Sequence, residues 1–310
     1  MTYKFSGHET FPCRYAWLPK AVEALQENRK LFSDLDSAMV ILGVGKNMVR
    51  SIRFWVEAEK MAKPNGKGEF AVRPLGEMLL GDCGLDPYLE DIQTLWLIHW
   101  NLSTRIKDPI FAWDFLMNRW YEPEIFPSLA LKAFEKEAAL QERKLSKVTL
   151  KQHLDIFIHT YVPTRGIKGA VLEENLDSPL IELDLIRQIG ERSINEQDGK
   201  REPVYTFNRE PKPSITQPLF AYCLNDFWNA RFADESTLAF RQVAYGHGSP
   251  GQVFKLPEPE ILEYLTKIEF ITNGALSFQE SAHLRQVRRH ENLDWTDLLN
   301  SIYQAEVTNA

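Results

Sequence analysis

The 310-residue chain is poor in cysteine: Cys13, Cys83 and Cys223 lie far apart and are odd in number. No C-x-x-C or H-E-x-x-H spacing occurs among them and the seven histidines, which argues against a disulfide framework and a zinc site. No apolar run approaches the roughly 18 residues a membrane-spanning helix needs, and the first residues lack the basic-then-apolar order of a secretion signal. A cytoplasmic protein with no membrane partner is therefore expected. No P-D-x-n-(D/E)-x-K or comparable nuclease motif is evident. Charge of one sign is also lacking: 36 Lys and Arg stand against 43 Asp and Glu, and a net charge of −7 does not suit a protein that coats nucleic acid over its whole surface.

What is present is an ordinary globular composition, 44% hydrophobic and 25% charged, in a chain long enough for two or three domains. The charge is uneven. Residues 1–80 hold 12 basic and 9 acidic residues, whereas the other 230 hold 24 and 34. A local basic surface on an acidic body fits a protein that touches DNA with one face.

The stretch from Asp36 to Leu80 carries that surface and reads as helix, tight turn, basic helix and hairpin, the outline of a winged helix. Gly43-Val44-Gly45 breaks an apolar run, and a second helix starts near Lys46. At about 100° per residue, Val49, Ile52 and Val56 share one face, flanked by Met48 and Trp55, and Lys46, Arg50 and Arg53 fall opposite. Asn47 joins these three as a candidate nucleic-acid contact. Pro64 to Gly68 is a turn cluster and Glu69 to Arg73 alternates like a strand, so a wing would carry Lys63, Lys67 and Arg73.

Ahead of this unit, Phe5 to Tyr15 mixes glycine, proline, aromatics and polar groups. His8 and Glu9 could supply acid and base and Arg14 a phosphate clamp, although Glu9 and Thr10 serve equally as helix caps over packed aromatics. Asp86-Pro87 and Asp108-Pro109 predict helix starts. Trp96, Trp100, Trp113 and Trp120, with His99 among them, read as core. Leu129–Arg143 and Val148–Tyr161 are helical in period; Asp155 and His159 share a face of the second. Asp155, Glu173 and Asp177 are candidate Mg²⁺ ligands, hard oxygens of the kind that ion prefers, with His159 as an alternative base and Arg165 as a second phosphate clamp. Toward the C-terminus, helical signal covers Ser236–Ala244. A hairpin is expected at Asn273-Gly274, and then a basic helix bearing Arg285, Arg288, Arg289 and His290 as a second nucleic-acid face. The fold class is mainly α (α+β), with a winged-helix-like DNA-binding domain at 1–82, a helical domain at 83–200 and a helical, winged-helix-like domain at 201–310.

Ser6-Gly7-His8-Glu9-Thr10-Phe11, Trp96-Leu97-Ile98-His99-Trp100, Asn175 to Leu180, Ser249 to Leu256 and Leu284 to Val287 together resemble a bacterial family encoded beside PAPS-reductase-like enzymes. Its member type is the SspB component of the single-stranded DNA phosphorothioation system, and the likeness runs over nearly the whole chain. The family pattern has an aliphatic residue where this chain has Cys13 and a glycine where it has His283. The resemblance implies a DNA-nicking component of an antiphage modification system. It would act on double-stranded DNA with a cysteine desulfurase, an ATPase and an ATP pyrophosphatase as partners. A phosphodiester hydrolase of this kind would use Mg²⁺. The resemblance carries no active-site assignment, so a non-enzymatic DNA-binding adaptor and a transcriptional regulator remain as alternatives.

Overall fold

The computed structural model describes residues 3–141, 145–163, 178–193, 201–281 and 283–304. The chain begins with α1 (Trp17–Glu27), α2 (Leu35–Leu42) and α3 (Lys46–Ala58), and a 3-10 turn at Leu31–Ser33 joins the first two. Asp34 caps α2 through the amides of Asp36 and Ser37, and Gly43 closes it in the left-handed conformation that a glycine adopts without a Cβ penalty. Strands β1 (Ala62–Pro64) and β2 (Phe70–Val72) then form an antiparallel ribbon with Lys63 opposite Ala71, and α4 (Pro74–Leu80) follows with proline in its first turn. Helix, helix, helix and hairpin thus occur in the order expected.

The middle of the chain contributes α5 (Ile92–Ser103), α6 (Phe111–Asn118), β3 (Glu124–Ile125), α7 (Pro127–Leu140) and α8 (Lys147–Tyr161). Helix α5 is buried from Gln93 to Ser103, which is why its sequence is apolar all round. Its His99 sits in the core as a satisfied neutral ring: one nitrogen pairs with the Tyr161 hydroxyl at 2.8 Å and the other with the Val253 carbonyl at 3.1 Å. Strands β4 (Ile186–Ser193) and β5 (Arg201–Phe207) complete a small antiparallel sheet of order β3-β5-β4.

The remainder comprises α9 (Gln217–Arg231), β6 (Thr237–Ala239), α10 (Phe240–Tyr245), α11 (Pro250–Phe254), α12 (Glu258–Ile271), β7 (Leu276–Glu280), β8 (Arg285–Arg289) and α13 (Trp295–Gln304). A second antiparallel sheet has the order β6-β8-β7. The molecule is therefore α+β and mainly helical. Its buried apolar side chains form one connected cluster that reaches from Tyr3 to Ile302.

Five local expectations are corrected. Asn273 and Gly274 have positive φ, but they end α12 instead of turning a hairpin: the Gly274 amide bonds the Glu269 carbonyl at 2.8 Å. The hairpin is the next one, β7 with β8, so Arg285, Arg288 and Arg289 lie on a strand and not on a helix. Residues Thr237–Ala239 form β6 because they pair with β8, and the helix expected from Ser236 begins at Phe240. Asp86 starts no helix; its carboxylate accepts the amides of Glu90 and Asp91, and Asp91 caps α5. The Asp108-Pro109 helix likewise starts later, at Phe111, because the Pro109 carbonyl and Phe111 amide pair with the backbone of Lys4.

Candidate functional site

Helix α3 separates two chemistries. Val49, Ile52, Trp55 and Val56 are fully buried, whereas Lys46, Asn47, Arg50 and Arg53 are exposed in a row along the other face. Its first turn holds Lys46 and no acidic residue, and Gly45 offers no side-chain cap. The positive end of the helix dipole is thus left facing a cation, an arrangement that an anion relieves. The Arg53 guanidinium lies 5.1 Å from the Phe70 ring centroid, which ties this row to β2 of the hairpin. Lys63 and Lys67 are exposed on that hairpin and Arg73 is half-buried at its end.

The segment Ser6 to Arg14 straps the back of α3. The Ser51 hydroxyl donates to the His8 carbonyl at 3.0 Å and the Trp55 indole donates to the Phe11 carbonyl at 3.0 Å. Gly7 has φ +112, and a Cβ there would stand 2.8 Å from the Phe54 ring, so both conformation and space require glycine.

His8 is 2% exposed. Its Nδ1 faces the Glu9 carbonyl at 2.9 Å and its Nε2 faces His153 Nδ1 at 2.9 Å, while the Ala112 amide donates to His153 Nε2 at 3.0 Å. The two backbone groups impose the tautomers. A carbonyl requires a proton on His8 Nδ1, an amide requires a lone pair on His153 Nε2, and the proton between the rings then belongs to His153 Nδ1. Burial holds both rings below the usual imidazole range; the Glu9 carbonyl partly offsets this for His8, and the neighbouring His8 ring adds to it for His153. The candidate base at His8 is therefore one half of a neutral pair that joins the strap to α8. Glu9 is half-buried in a positive-φ turn, and Arg14 stacks 5.5 Å from the Trp17 ring centroid.

Beside the hairpin lies a groove of about 480 Å³ whose lining holds five basic residues, Lys60, Lys63, Arg73, Arg105 and Lys107, against the two carboxylates of Glu57 and Asp108. Arg105 donates to the Glu57 and Ala58 carbonyls at 3.0 and 2.8 Å, capping the negative end of α3. Burial lowers the Lys60 ammonium, Asp226 opposes this from 3.9 Å, and Arg73 and Arg105 push it further down. Sequence reading found Lys63 and Arg73 but missed Lys60, Arg105 and Lys107. Lys60 lies in the turn after α3 and Arg105-Ile106-Lys107 follows α5, so no local periodicity connects them.

The sequence model of the DUF4007 family, described as proteins of unknown function, matches residues 5–303. The chain belongs to the DUF4007 family. No curated protein matches it. Among solved structures it is similar to a magnesium ion-bound SspB crystal structure, with a TM-score of 0.82 and 26% identity over 97% of this chain and 88% of that one. A second SspB crystal structure gives a TM-score of 0.82 and 25% identity over the same shares. The chain is SspB-like.

Of the three expected Mg²⁺ ligands of this SspB-like chain, only Asp155 lies among the described residues. Glu173 and Asp177, and with them Arg165, lie outside the described residues. Asp155 pairs with Lys151 at 2.8 Å one turn away. Burial lowers the His159 ring, opposed by Asp155 and reinforced by Lys151. Among the described residues no group of three or more His, Cys, Asp or Glu could hold a metal ion. Also among them, no helix is long and apolar enough to cross a membrane. On β8, Arg285 pairs with Glu280 at 2.8 Å, Arg289 lies 4.4 Å from the Trp228 ring centroid, and Arg288 is exposed. Strand alternation turns Arg285 and Arg289 to one face and Arg288 to the other, so the three do not form one basic patch.

Proposed function

We propose that this chain is the DNA-contacting component of a phosphorothioation system and nicks one strand of double-stranded DNA in an Mg²⁺-dependent reaction. A cysteine desulfurase, an ATPase and an ATP pyrophosphatase would then set sulfur into the backbone as an antiphage mark. The reading is supported above all by the exposed row Lys46, Asn47, Arg50 and Arg53 on a helix followed by a hairpin, within an SspB-like fold. A major groove about 12 Å wide admits an α-helix, and guanidinium and ammonium groups along such a helix neutralise phosphates on its walls. The basic groove continues that surface past the hairpin. In this reading residues 1–82 are the targeting domain, residues 83–200 and 201–310 form the body behind it, and all act in the cytoplasm.

Phosphodiester cleavage requires charge neutralisation at the scissile phosphate and a base for the attacking water. Glu9 and Arg14, both half-buried in the strap, remain candidates for base and clamp. Supercoiled plasmid incubated with the pure protein should yield open-circle product with Mg²⁺ and none with EDTA. Product formed equally with EDTA, or none at all, refutes the nickase. A non-enzymatic adaptor is the second reading, favoured by the engagement of both His8 nitrogens and by the Lys151 partner of Asp155. It predicts duplex binding without open circles. A transcriptional regulator would differ from both in preferring one operator sequence in competition binding.

A further inference from the structure

A cavity of about 390 Å³ adjoins the basic groove and shares Lys60 and Arg73 with it. Its size is in the range of small-molecule sites, roughly 300 to 1,000 Å³. Residues of three otherwise separate parts of the chain line it: the turn after α3 with the start of α4, the last turn of α5, and α9 with the first residue of α13.

The lining has a definite polarity. Lys60 and Arg73 are cationic. Asp226 accepts the Trp100 indole proton on Oδ2 at 2.8 Å, and its Oδ1 has no hydrogen bond among the described residues. The Asn101 amide nitrogen donates to the Glu59 carbonyl at 3.2 Å, and that of Asn229 donates to Asn225 at 3.4 Å, which leaves their carbonyl oxygens as acceptors. Trp295 is 37% exposed although it is a large aromatic. The wall therefore offers two positive charges, the Asp226 carboxylate, two amide oxygens and the rings of Trp295 and buried Tyr222. Because Asp226 lies 3.9 Å from the Lys60 ammonium, a complementary ligand carries an anion for Lys60 and Arg73 and, beyond that ion pair, a flat ring with an amine for the acceptor oxygens. Exocyclic amines of nucleobases donate to carboxylate and amide oxygens, any base can stack on an indole, and a phosphate suits paired cations.

We propose that this cavity receives one unpaired deoxynucleotide of a strand lying in the groove, with its phosphate between Lys60 and Arg73 and its base on Trp295, the amino edge directed to Asp226 and Asn101. The base must be unpaired, because in a duplex that edge is closed by its partner and the ring by its stack. Asp226 only partly offsets the burial of Lys60 and the repulsion from Arg73 and Arg105, and a phosphate between Lys60 and Arg73 adds the further negative charge this cationic group favours. The proposal rests on the DNA-contacting reading of the chain, and it adds a distinct site to the α3 face.

The test uses the intact protein, a single-stranded oligodeoxyadenylate and a duplex of the same length, each read by fluorescence anisotropy. Trp295→Ala removes the stacking ring, and Asn229→Leu fills the cavity from an exposed position. Each should weaken single-strand binding by about tenfold, the effect of losing one stacked base, and leave duplex affinity unchanged. Trp295→Phe should restore single-strand binding, which separates loss of the ring from loss of fold. Wild-type single-strand affinity in both variants overturns the pocket, as does equal loss on single strand and duplex. If these variants lose single-strand binding while Lys46, Arg50 and Arg53 can be replaced without effect on the duplex, the pocket stands and the α3 interface falls.

Discussion

Replacing Lys46, Arg50 and Arg53 together by alanine isolates the contribution of the α3 face. Each phosphate contact releases condensed counterions, and the slope of log affinity against log salt changes by about 0.9 per contact on duplex DNA. Three contacts correspond to a slope shallower by about 2.7, so raising salt from about 50 to about 200 mM should cost the wild-type protein about 40-fold more affinity than the variant. The substitutions should leave the fold intact. All three side chains are exposed, and Val49, Ile52, Trp55 and Val56 on the opposite face keep α3 in place. Loss of the Arg53 contact with Phe70 costs at most about 1 kcal/mol. Removing Lys46 from the positive end of the helix offsets part of that. Fluorescence anisotropy of a labelled duplex over a salt series gives the slope directly. Lys132→Ala, at an exposed position on α7, is the control and should leave the slope unchanged. A triple variant with the wild-type slope refutes the assignment of DNA contact to α3, whatever its affinity at one salt concentration.

Two further outcomes follow from the buried groups. Burial holds His99 at about 3, so at acid pH the unfolded chain binds a proton that the folded chain does not. Stability from this residue is complete above about 6.5 and falls as pH drops toward 3; at pH 5 the loss is about 2 kcal/mol, and His8 and His153 act in the same direction. Urea denaturation at pH 7 and pH 5 measures it, and equal midpoints would contradict neutral burial. Gly7→Ala should destabilise the fold by about 1–3 kcal/mol, because positive φ is unfavourable with a Cβ and that atom meets Phe54. A thermal midpoint equal to that of the wild type would show that the strap relaxes away from α3.

The residues of α3 were legible because both of its faces repeat within one helix: a period of 3.6 is a local property that neighbours three and four positions away already encode. The same holds for the turn at Gly43 and for the hairpin that follows. Asn273-Gly274 was misread because two positive-φ residues serve a hairpin and a helix end equally well, and only the Glu269 carbonyl behind Gly274 selects the second. The basic run at Arg285–Arg289 became a strand because β6 and β7 flank it, and pairing partners such as Leu238 and Phe278 of Val287, 49 and 9 positions away, lie outside any local window. The candidate sites divide along the same line. The cationic row on α3 is a periodic pattern, so sequence alone located it. Pairing of His8 with His153 across 145 positions, convergence of Lys60, Arg105 and Lys107 on one groove, and the meeting of Asp226, Asn101 and Trp295 around one cavity are products of packing. Burial of α5 on every side draws those distant segments against it, and no single segment carries a sign of that encounter.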